Sequence, residues 1–188
     1  MTHHNLTRTI ICFGMATICH WPGHAQSISR DRLGEVLAGC GSMRTLSRHR
    51  SILMRWGVEE KLPLASPIWE EYRISSHYGM RFHPIRRRWQ MHQGYDLSCP
   101  LATRIHATGD GVVSFCGWRG GYGYCIIVRH LYGFETLYGH LSRAYAFAGK
   151  RVRQGDVIGF AGNTGLSAGY HLHYEIRKNG KPIEPIIP

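Results

Sequence analysis

The chain has 188 residues, of which 43% are hydrophobic and 19% are charged, and it contains 23 glycines. These values are typical of a globular protein and argue against a disordered chain, and the length suits one domain with a modest extension. The formal net charge of +11 favours a polyanionic partner, although a charge that only keeps the surface solvated is an open alternative.

The first 25 residues have the pattern of a secretory signal peptide. Arg8 supplies a positive n-region, residues 9–19 are mostly apolar, and Gly23-His24-Ala25 offers a small-residue cleavage site. The apolar stretch is far shorter than the roughly 20 residues that span a bilayer, and no other stretch is long enough for a membrane helix. The pattern predicts cleavage after Ala25 and export. For an exported basic protein an anionic cell-wall polymer is a better candidate partner than nucleic acid, although charge alone does not decide between them.

Residues 26–61 predict a short, helical N-terminal extension. Apolar residues recur at helical spacing in two groups, closely in Leu33, Val36 and Leu37 and more loosely in Leu46, Leu53 and Trp56. Three interpretations are open for this extension: a docking segment for a partner in an envelope machine, a pro-segment that occludes a site, or a tether. Pro63 and Pro67 mark a boundary after it, because two prolines so close together discourage regular structure.

Between residues 62 and 188, short apolar runs alternate with glycine-rich turns. The runs at 112–115, 126–128 and 157–158 each follow a turn that contains glycine. Runs of strand length separated by Gly, Asn and Asp turns are typical of antiparallel hairpins, and no amphipathic window of helix length is evident. The sequence therefore predicts one all-β, mostly antiparallel domain over residues 62–188.

Four cysteines remain after the predicted cleavage. In an oxidising compartment an even number permits two disulfides, in three connectivities. Cys116 and Cys125 flank a glycine-rich turn, so we expect a bridge across that hairpin. None of the four has the CxxC spacing of a metal site, which leaves histidines as the better ligand candidates. The four are Cys40, Cys99, Cys116 and Cys125.

Two pairs of polar residues have the chemistry of a metal site. His171 and His173 alternate within a strand-forming run, so they share one face of a strand about 7 Å apart, where one can bind a metal and the other handle a proton. His92 and Asp96 are separated by about 13 Å on an ideal strand. Gly94 between them allows a bend that brings the pair together. Three protein ligands plus water is the pattern of catalytic zinc.

Two further residues are candidates for supporting roles. His140 ends a strand-forming run beside a glycine, where a lone histidine is more often structural. The predicted metal site needs another proton-handling group, however, and imidazole suits that role near pH 7. Glu175 is expected on the same face of the strand as His171 and His173. It therefore either orients a metal ligand from behind or faces solvent.

Five motifs follow one another along this domain: Ser75-Ser76-His77-Tyr78-Gly79-Met80-Arg81-Phe82-His83-Pro84, His92-x-Gly-x-Asp96, Tyr138-Gly139-His140-Leu141, Gly162-Asn163-Thr164-Gly165 and His171-Leu172-His173-Tyr174-Glu175. In this order they resemble the lysostaphin-like, or LytM-type, zinc endopeptidases over residues 62–188. The resemblance implies a β-rich groove fold and a metalloprotease that cleaves peptide cross-links of peptidoglycan. It further implies a D,D-endopeptidase in the periplasm of a Gram-negative bacterium.

The resemblance also implies roles for individual residues. His92, Asp96 and His173 correspond to the ligands of one zinc ion, and His140 and His171 correspond to the two catalytic histidines. The alternative is a non-catalytic peptidoglycan-binding or amidase-activating protein on the same fold. Such proteins typically lack several ligands, whereas all five residues are present here. An enzyme of the Gram-positive type that cuts glycine bridges ranks lower, because no wall-binding repeat is recognisable.

Overall fold

The computed structural model describes residues 33–34, 37, 39–83, 85 and 87–188, so the predicted signal peptide lies outside the described residues. Helix α1 spans Met43–Arg48 and helix α2 spans Arg50–Arg55, and a 3-10 turn follows at Glu59–Lys61. These short helices confirm the helical extension predicted before residue 62. Within the described part of the chain, no helix is long and apolar enough to cross a bilayer.

Thirteen strands are found in the described residues after the helices. They are β1 (Arg73–Ser76), β2 (Gly79–His83), β3 (Arg88–His92), β4 (Tyr95–Ser98), β5 (Arg104–His106), β6 (Gly111–Trp118), β7 (Tyr124–Arg129), β8 (Phe134–Gly139), β9 (Leu141–Ala144), β10 (Arg151–Val152), β11 (Val157–Ala161), β12 (His171–Lys178) and β13 (Lys181–Ile183). Every pairing that the structure describes between them is antiparallel. The predicted all-β, mostly antiparallel fold is therefore confirmed.

The strands form three sheets. The main sheet has eight strands in the order β1-β4-β12-β8-β7-β6-β10, with β13 also paired to β12. A three-stranded sheet has the order β5-β11-β9, and β2 and β3 form a separate hairpin. Short 3-10 turns at Gly120–Tyr122 and Leu131–Gly133 interrupt the connections between strands of the main sheet. The neighbouring strands β4 and β12 of the main sheet carry most of the chemistry described below.

Strand β12 shows how the sequence places the site. Leu172, Tyr174 and Ile176 are each 0% exposed and belong to the hydrophobic core. Because side chains alternate across a strand, the intervening His171, His173 and Glu175 project from the opposite face. The alternation of apolar and polar residues therefore places one face of β12 in the core and the other face towards the cleft.

The helical extension shares the core of the β-sheets. Met43, Leu46 and Leu53 are buried and belong to the same hydrophobic cluster as residues of β4 and β12. Burying such side chains contributes roughly 1.5–3 kcal/mol each relative to leaving them exposed. The described part of the extension is therefore packed against the sheets as part of one core.

Lys178, the last residue of β12, ties the strand to the extension. Its side chain is 6% exposed, and its ammonium donates to the carbonyl oxygens of Leu37, at 3.0 Å, and Tyr132. The same ammonium lies 4.2 Å from the ring centre of Phe134. A buried ammonium is tolerated only when acceptors replace water, so these contacts explain how a lysine occupies this position.

The four cysteines of the predicted mature chain do not form the expected hairpin bridge. In the β6–β7 pair, Cys116 lies opposite Ile126 and Cys125 lies opposite Gly117. Directly opposite residues project to the same face and successive residues alternate, so Cys116 and Cys125 project to opposite faces of the sheet. The expectation of a bridge between them is wrong, because the register is offset by one residue. The cysteines that the structure describes as free are Cys40, Cys99, Cys116 and Cys125.

Candidate metal centre

The predicted site residues meet in an open cleft of about 450 Å³. The β2–β3 hairpin forms one wall, and residues 121–122 and 166–170 form the other. None of the described residues of the extension, before residue 62, lines the cleft. All five residues that the sequence analysis singled out do line it: His92, Asp96, His140, His171 and His173.

Three donor atoms converge on the floor of the cleft. Nε2 of His92 lies 3.1 Å from Oδ1 of Asp96 and 3.1 Å from Nδ1 of His173. Nδ1 of His173 lies 2.8 Å from Oδ1 of Asp96. Ligands of a tetrahedral zinc ion, at bond lengths of about 2.0–2.1 Å, lie roughly 3.3 Å apart. The triangle therefore has nearly the size and the donor chemistry required to hold one such ion.

The chain brings these three residues together through strand register and one glycine. Asp96 and His173 are direct partners in the β4–β12 pair, and His92 ends β3 just before the turn into β4. A Cβ atom on Gly94, inside that turn, would lie 2.2 Å from the carbonyl oxygen of Tyr174. Only glycine allows this close approach, so Gly94 makes possible the convergence of His92 and Asp96 that an extended strand prevents.

Two of the three donor residues are held from behind by groups outside the triangle. Nδ1 of His92 donates to the carbonyl oxygen of His77 at 2.7 Å. Nη2 of Arg81 donates to Oδ2 of Asp96 at 3.0 Å, which leaves Oδ1 facing the two imidazoles. Outer contacts of this kind fix the tautomer and orientation of a metal ligand.

Glu175 holds the third donor residue. Its side chain is 0% exposed, and its Oε1 accepts a hydrogen bond of 2.9 Å from Nε2 of His173. Nε and Nη2 of Arg177 donate to its Oε2 at 2.8 and 2.6 Å, and the hydroxyl of Tyr122 donates to Oε1 at 2.7 Å. Of the two interpretations of Glu175, the structure confirms a residue that orients a ligand candidate and contradicts one that faces solvent.

Hydrogen bonds within the triangle shift the pKa values of Asp96 and His173 in opposite directions. Burial alone would raise the pKa of Asp96, but hydrogen bonds from His173 and His92 hold it well below its usual range. Burial alone would lower the pKa of His173, but its contacts with Asp96 and Glu175 raise it to about 9. If His173 held a metal ion, the ion would take the place of the proton on the ligating nitrogen, because only a deprotonated nitrogen can be a ligand.

His140 and His171 stand beside the triangle with their rings 4.6 Å apart. Nδ1 of His140 donates to the carbonyl of Thr164 at 2.7 Å, and Nδ1 of His171 donates to the carbonyl of Gly169 at 2.8 Å. A carbonyl oxygen can only accept, so each ring carries a proton on Nδ1 and keeps Nε2 as a base when neutral. Nε2 of His171 lies 3.6 Å from Oδ1 of Asp96.

The environment of His140 favours its neutral form. Burial, followed by the neighbouring His171, lowers the pKa of His140 to about 4. An imidazole with that pKa is uncharged at neutral pH and available to accept a proton.

Two glycine-containing loops hold His140 in place. Its φ of 60° lies in the left-handed region, which is uncommon for histidine, and its backbone N–H donates to the carbonyl of Tyr122 at 2.8 Å. A Cβ atom on Gly165 would lie 2.3 Å from the backbone nitrogen of Gly123, so the two loops pack backbone against backbone. The loop around Tyr122 fixes the backbone of His140, and Thr164 fixes its ring.

Comparison with known proteins identifies the family of this arrangement. Residues 90–185, just over half of the chain, match the model described as Peptidase family M23. The chain belongs to peptidase family M23. It is 52% identical over 114 residues to the DD-carboxypeptidase/endopeptidase Mpg of Neisseria meningitidis, in a match that covers 61% of this chain and 26% of Mpg. The chain thus spans about a quarter of the length of this curated M23 relative.

Solved structures of M23 peptidases have the same fold. A zinc-containing peptidase from Vibrio cholerae superposes with a TM-score of 0.60 at 30% identity, covering 65% of this chain and 40% of that one. The catalytic domain of lysostaphin from Staphylococcus simulans superposes with a TM-score of 0.56 at 29% identity, covering 61% and 89%. The resemblance to lysostaphin-like proteins drawn from five motifs is confirmed.

Three residues of this M23 site were not identified from the sequence. Arg177 continues the alternation of His171, His173 and Glu175 by two more positions, a signal that an extended search along the strand would have found. Arg81 stands inside the first of the five motifs, but nothing in the sequence pairs it with Asp96. Tyr122 lies in a glycine-rich run whose packing against the site is set by tertiary structure alone. The three are Arg81, Tyr122 and Arg177.

Proposed function

We propose that this chain is a zinc-dependent endopeptidase that hydrolyses peptide cross-links of peptidoglycan, with D,D bonds as its target. The observation that carries the proposal is the triangle of donor atoms beside two histidines that each keep a free Nε2. Two relatives support the bond class by their names: Mpg, and the peptidoglycan DD-endopeptidase ShyA of Vibrio cholerae, which is 36% identical over 118 residues. The match covers 27% of ShyA, so the activity of the whole protein is part of the proposal.

We assign His92, Asp96 and His173 as the ligands of one zinc ion. Two imidazoles and one carboxylate, with a fourth position left open, are a donor set of catalytic zinc sites. When bound, zinc supplies a Lewis acid that polarises a carbonyl and makes water reactive near neutral pH. Arg81 and Glu175 keep the donor atoms aimed at one point, so little reorganisation is needed when the ion binds.

We assign His171 and His140 to proton transfer. His171 accepts the proton of the attacking water, because its Nε2 lies close to the carboxylate of Asp96 and is free when the ring is neutral. His140 lines the same cleft. Its Nε2 would take up a proton from solvent once the negative charge of the oxyanion offsets the burial that keeps the ring neutral, and the resulting imidazolium would stabilise that oxyanion. One of the two histidines then returns a proton to the leaving amine.

The complete set of five residues disfavours the non-catalytic alternative, in which ligands are missing. None of the described residues of 26–61 lines the cleft, so the described part of the extension does not occlude it. We propose residues 62–188 as the peptidase domain and residues 26–61 as an extension, whose described part shares the core of that domain. Docking of that extension to an envelope machine stays a prediction.

The place of action is also a proposal. The relatives named for peptidoglycan imply action outside the cytoplasm, because that is where the polymer lies. The predicted signal peptide over residues 1–25 supports export, and we propose the periplasm of a Gram-negative bacterium.

The proposal is tested by incubating residues 26–188, loaded with zinc, with cross-linked sacculi and analysing the released muropeptides by mass spectrometry. We expect cross-linked dimers to decline and monomers to increase, and the mass of the new termini to identify the bond. His171→Ala should bind zinc but no longer change the muropeptides. The control His49→Ala, in the extension, should change the muropeptides as the unaltered chain does. Zinc-loaded protein that binds sacculi and leaves the muropeptides unchanged would contradict the peptidase and favour the binding protein.

A further inference from the structure

Tyr122 contacts the donor triangle on one side and the backbone of His140 on the other. Its hydroxyl donates to Oε1 of Glu175 at 2.7 Å, and its ring centre lies 5.6 Å from that of His173. Its backbone carbonyl accepts the N–H of His140 at 2.8 Å. One residue of the 3-10 turn Gly120–Tyr122 therefore contacts a ligand candidate, the carboxylate behind that ligand, and a catalytic histidine candidate.

The carboxylate that Tyr122 contacts is fully buried and has no contact with solvent. Its Oε2 is occupied by two hydrogen bonds from Arg177, and its Oε1 is shared by Tyr122 and Nε2 of His173. A buried carboxylate needs its lone pairs satisfied, because a buried charge without partners is strongly disfavoured. Arg177 fixes one oxygen, and Tyr122 is the second donor that keeps the other oxygen turned towards His173.

The tyrosine proton has a preferred acceptor in this cluster. The hydroxyl of Tyr122 also lies 3.2 Å from Oε1 of Gln93, and it accepts from Nη2 of Arg177 at 3.3 Å. A phenol has a single proton, and the contact with Glu175 is shorter and charge-assisted. The hydroxyl proton of Tyr122 therefore belongs to the hydrogen bond with Glu175.

We propose that Tyr122 is a positioning residue that acts through Glu175 on His173 and, through its backbone carbonyl, on His140. This inference rests on the proposed assignment of His173 as a zinc ligand. A carboxylate behind a ligating imidazole fixes the ring and increases its basicity, and loss of such an outer contact typically weakens metal binding by roughly 10- to 100-fold. The side chain of Tyr122 therefore sets zinc affinity, and its main chain sets the place of His140.

The test is the substitution Tyr122→Phe in the whole chain, which removes the hydroxyl and keeps the ring and the carbonyl that holds His140. We expect zinc affinity, measured on metal-free protein by competition with a chromophoric chelator, to fall roughly 10- to 100-fold. The visible spectrum of the Co²⁺-loaded protein should also change, because His173 is less firmly oriented. Equal thermal unfolding of the two metal-free proteins would show that the fold is retained.

Tyr124→Phe is the matched control. Tyr124 lies two residues further along the same segment, and its hydroxyl interacts with Cys116 rather than with the site. We expect the control to bind zinc as the unaltered chain does. Zinc affinity of Tyr122→Phe within twofold of the unaltered chain, or an equal loss in Tyr124→Phe, would overturn the inference.

A double-mutant cycle tests whether Tyr122 acts through Glu175. Glu175→Gln keeps the shape of the side chain and removes its charge. If Tyr122 acts through that carboxylate, Tyr122→Phe should change zinc affinity less than twofold in the Glu175→Gln background, whereas fully additive effects would contradict the coupling. A chain that binds one zinc ion with these differences and leaves muropeptides intact would refute the proposed peptidase alone. A chain that binds no zinc would refute both.

Discussion

The two ends of strand β12 both carry buried ionisable groups, yet only one end has the geometry of a site. At the first end, the Nδ1 atom of His173 faces two other donor atoms at 2.8 and 3.1 Å. At the other end, the ammonium of Lys178 is surrounded by the carbonyl oxygens of Leu37 and Tyr132. Burial lowers the pKa of Lys178, and its ammonium, held by these two oxygens and the ring of Phe134, already occupies the place that a cation would take.

The difference shows that burial of a charged group does not by itself mark function. At the cleft end, donor atoms from three strands converge on one point. The same side chains are held in place by hydrogen bonds on the side away from that point. At the lysine end donors and acceptors are already matched, so the group serves packing.

The largest effect is expected from removing a ligand at the cleft end. His173→Ala takes away one corner of the triangle and leaves Glu175 buried without its imidazole partner. Because loss of an outer contact already weakens metal binding roughly 10- to 100-fold, loss of the ligand itself should exceed that range. Chelator competition measures it, and stoichiometric tight zinc binding by His173→Ala would contradict the assignment.

A histidine that lies away from the cleft should make stability depend on pH. His130 contacts the carbonyl of Asp110 and the hydroxyl of Thr136, both at 2.8 Å, and burial lowers the pKa of His130 to about 4. The unfolded chain binds a proton on this ring near pH 6.5, so stability is present above that pH and is lost as the pH falls towards 4. The loss should reach about 3 kcal/mol.

The measurement for His130 is the free energy of unfolding by denaturant at pH 7, 6, 5 and 4. His130→Gln removes the titrating ring, so its curve should be flatter than that of the unaltered chain over this window. Other groups titrate in both proteins and cancel in the difference. Parallel curves for the two proteins would show that His130 does not cause the expected loss of stability at low pH.

At the lysine end, Lys178→Met should affect stability and leave the metal site unchanged. The methionine fills similar space but leaves the carbonyl oxygens of Leu37 and Tyr132 without their donor, at a cost of about 1–3 kcal/mol in the free energy of unfolding. Denaturant unfolding measures the cost, and chelator competition should give unaltered zinc affinity. A tenfold loss of zinc affinity would show that the two ends of β12 are coupled.

The smallest effect is expected from a reducing agent. Because the described cysteines are free, reduction should change the free energy of unfolding by less than about 0.5 kcal/mol, compared with the roughly 2–4 kcal/mol that a disulfide contributes. Unfolding with and without dithiothreitol tests this. A destabilisation of several kcal/mol on reduction would reveal a bridge.

The site was predictable from sequence where it depends on strand periodicity. The alternation of His171 and His173 with apolar residues can be read from the local sequence. Gly94 likewise indicated the turn that brings His92 to Asp96. The prediction of a Cys116–Cys125 bridge was wrong because it depends on the register of β6 and β7, which the sequence does not reveal. A register offset by one residue places the two side chains on opposite faces of the sheet. Tyr122 was missed for a related reason: its contacts join segments about 18 and 53 residues away along the chain.

The zinc-ligand assignment is tested most directly by the crystal structure of the zinc-soaked protein, with anomalous diffraction measured at the zinc absorption edge. We expect one strong peak bonded to Nε2 of His92, a carboxylate oxygen of Asp96 and Nδ1 of His173, at about 2.0–2.2 Å. His140 and His171 should line the open side of the ion with Nδ1 still bonded to their carbonyl partners. A peak elsewhere, or a vacant triangle at saturating zinc, would contradict the assignment.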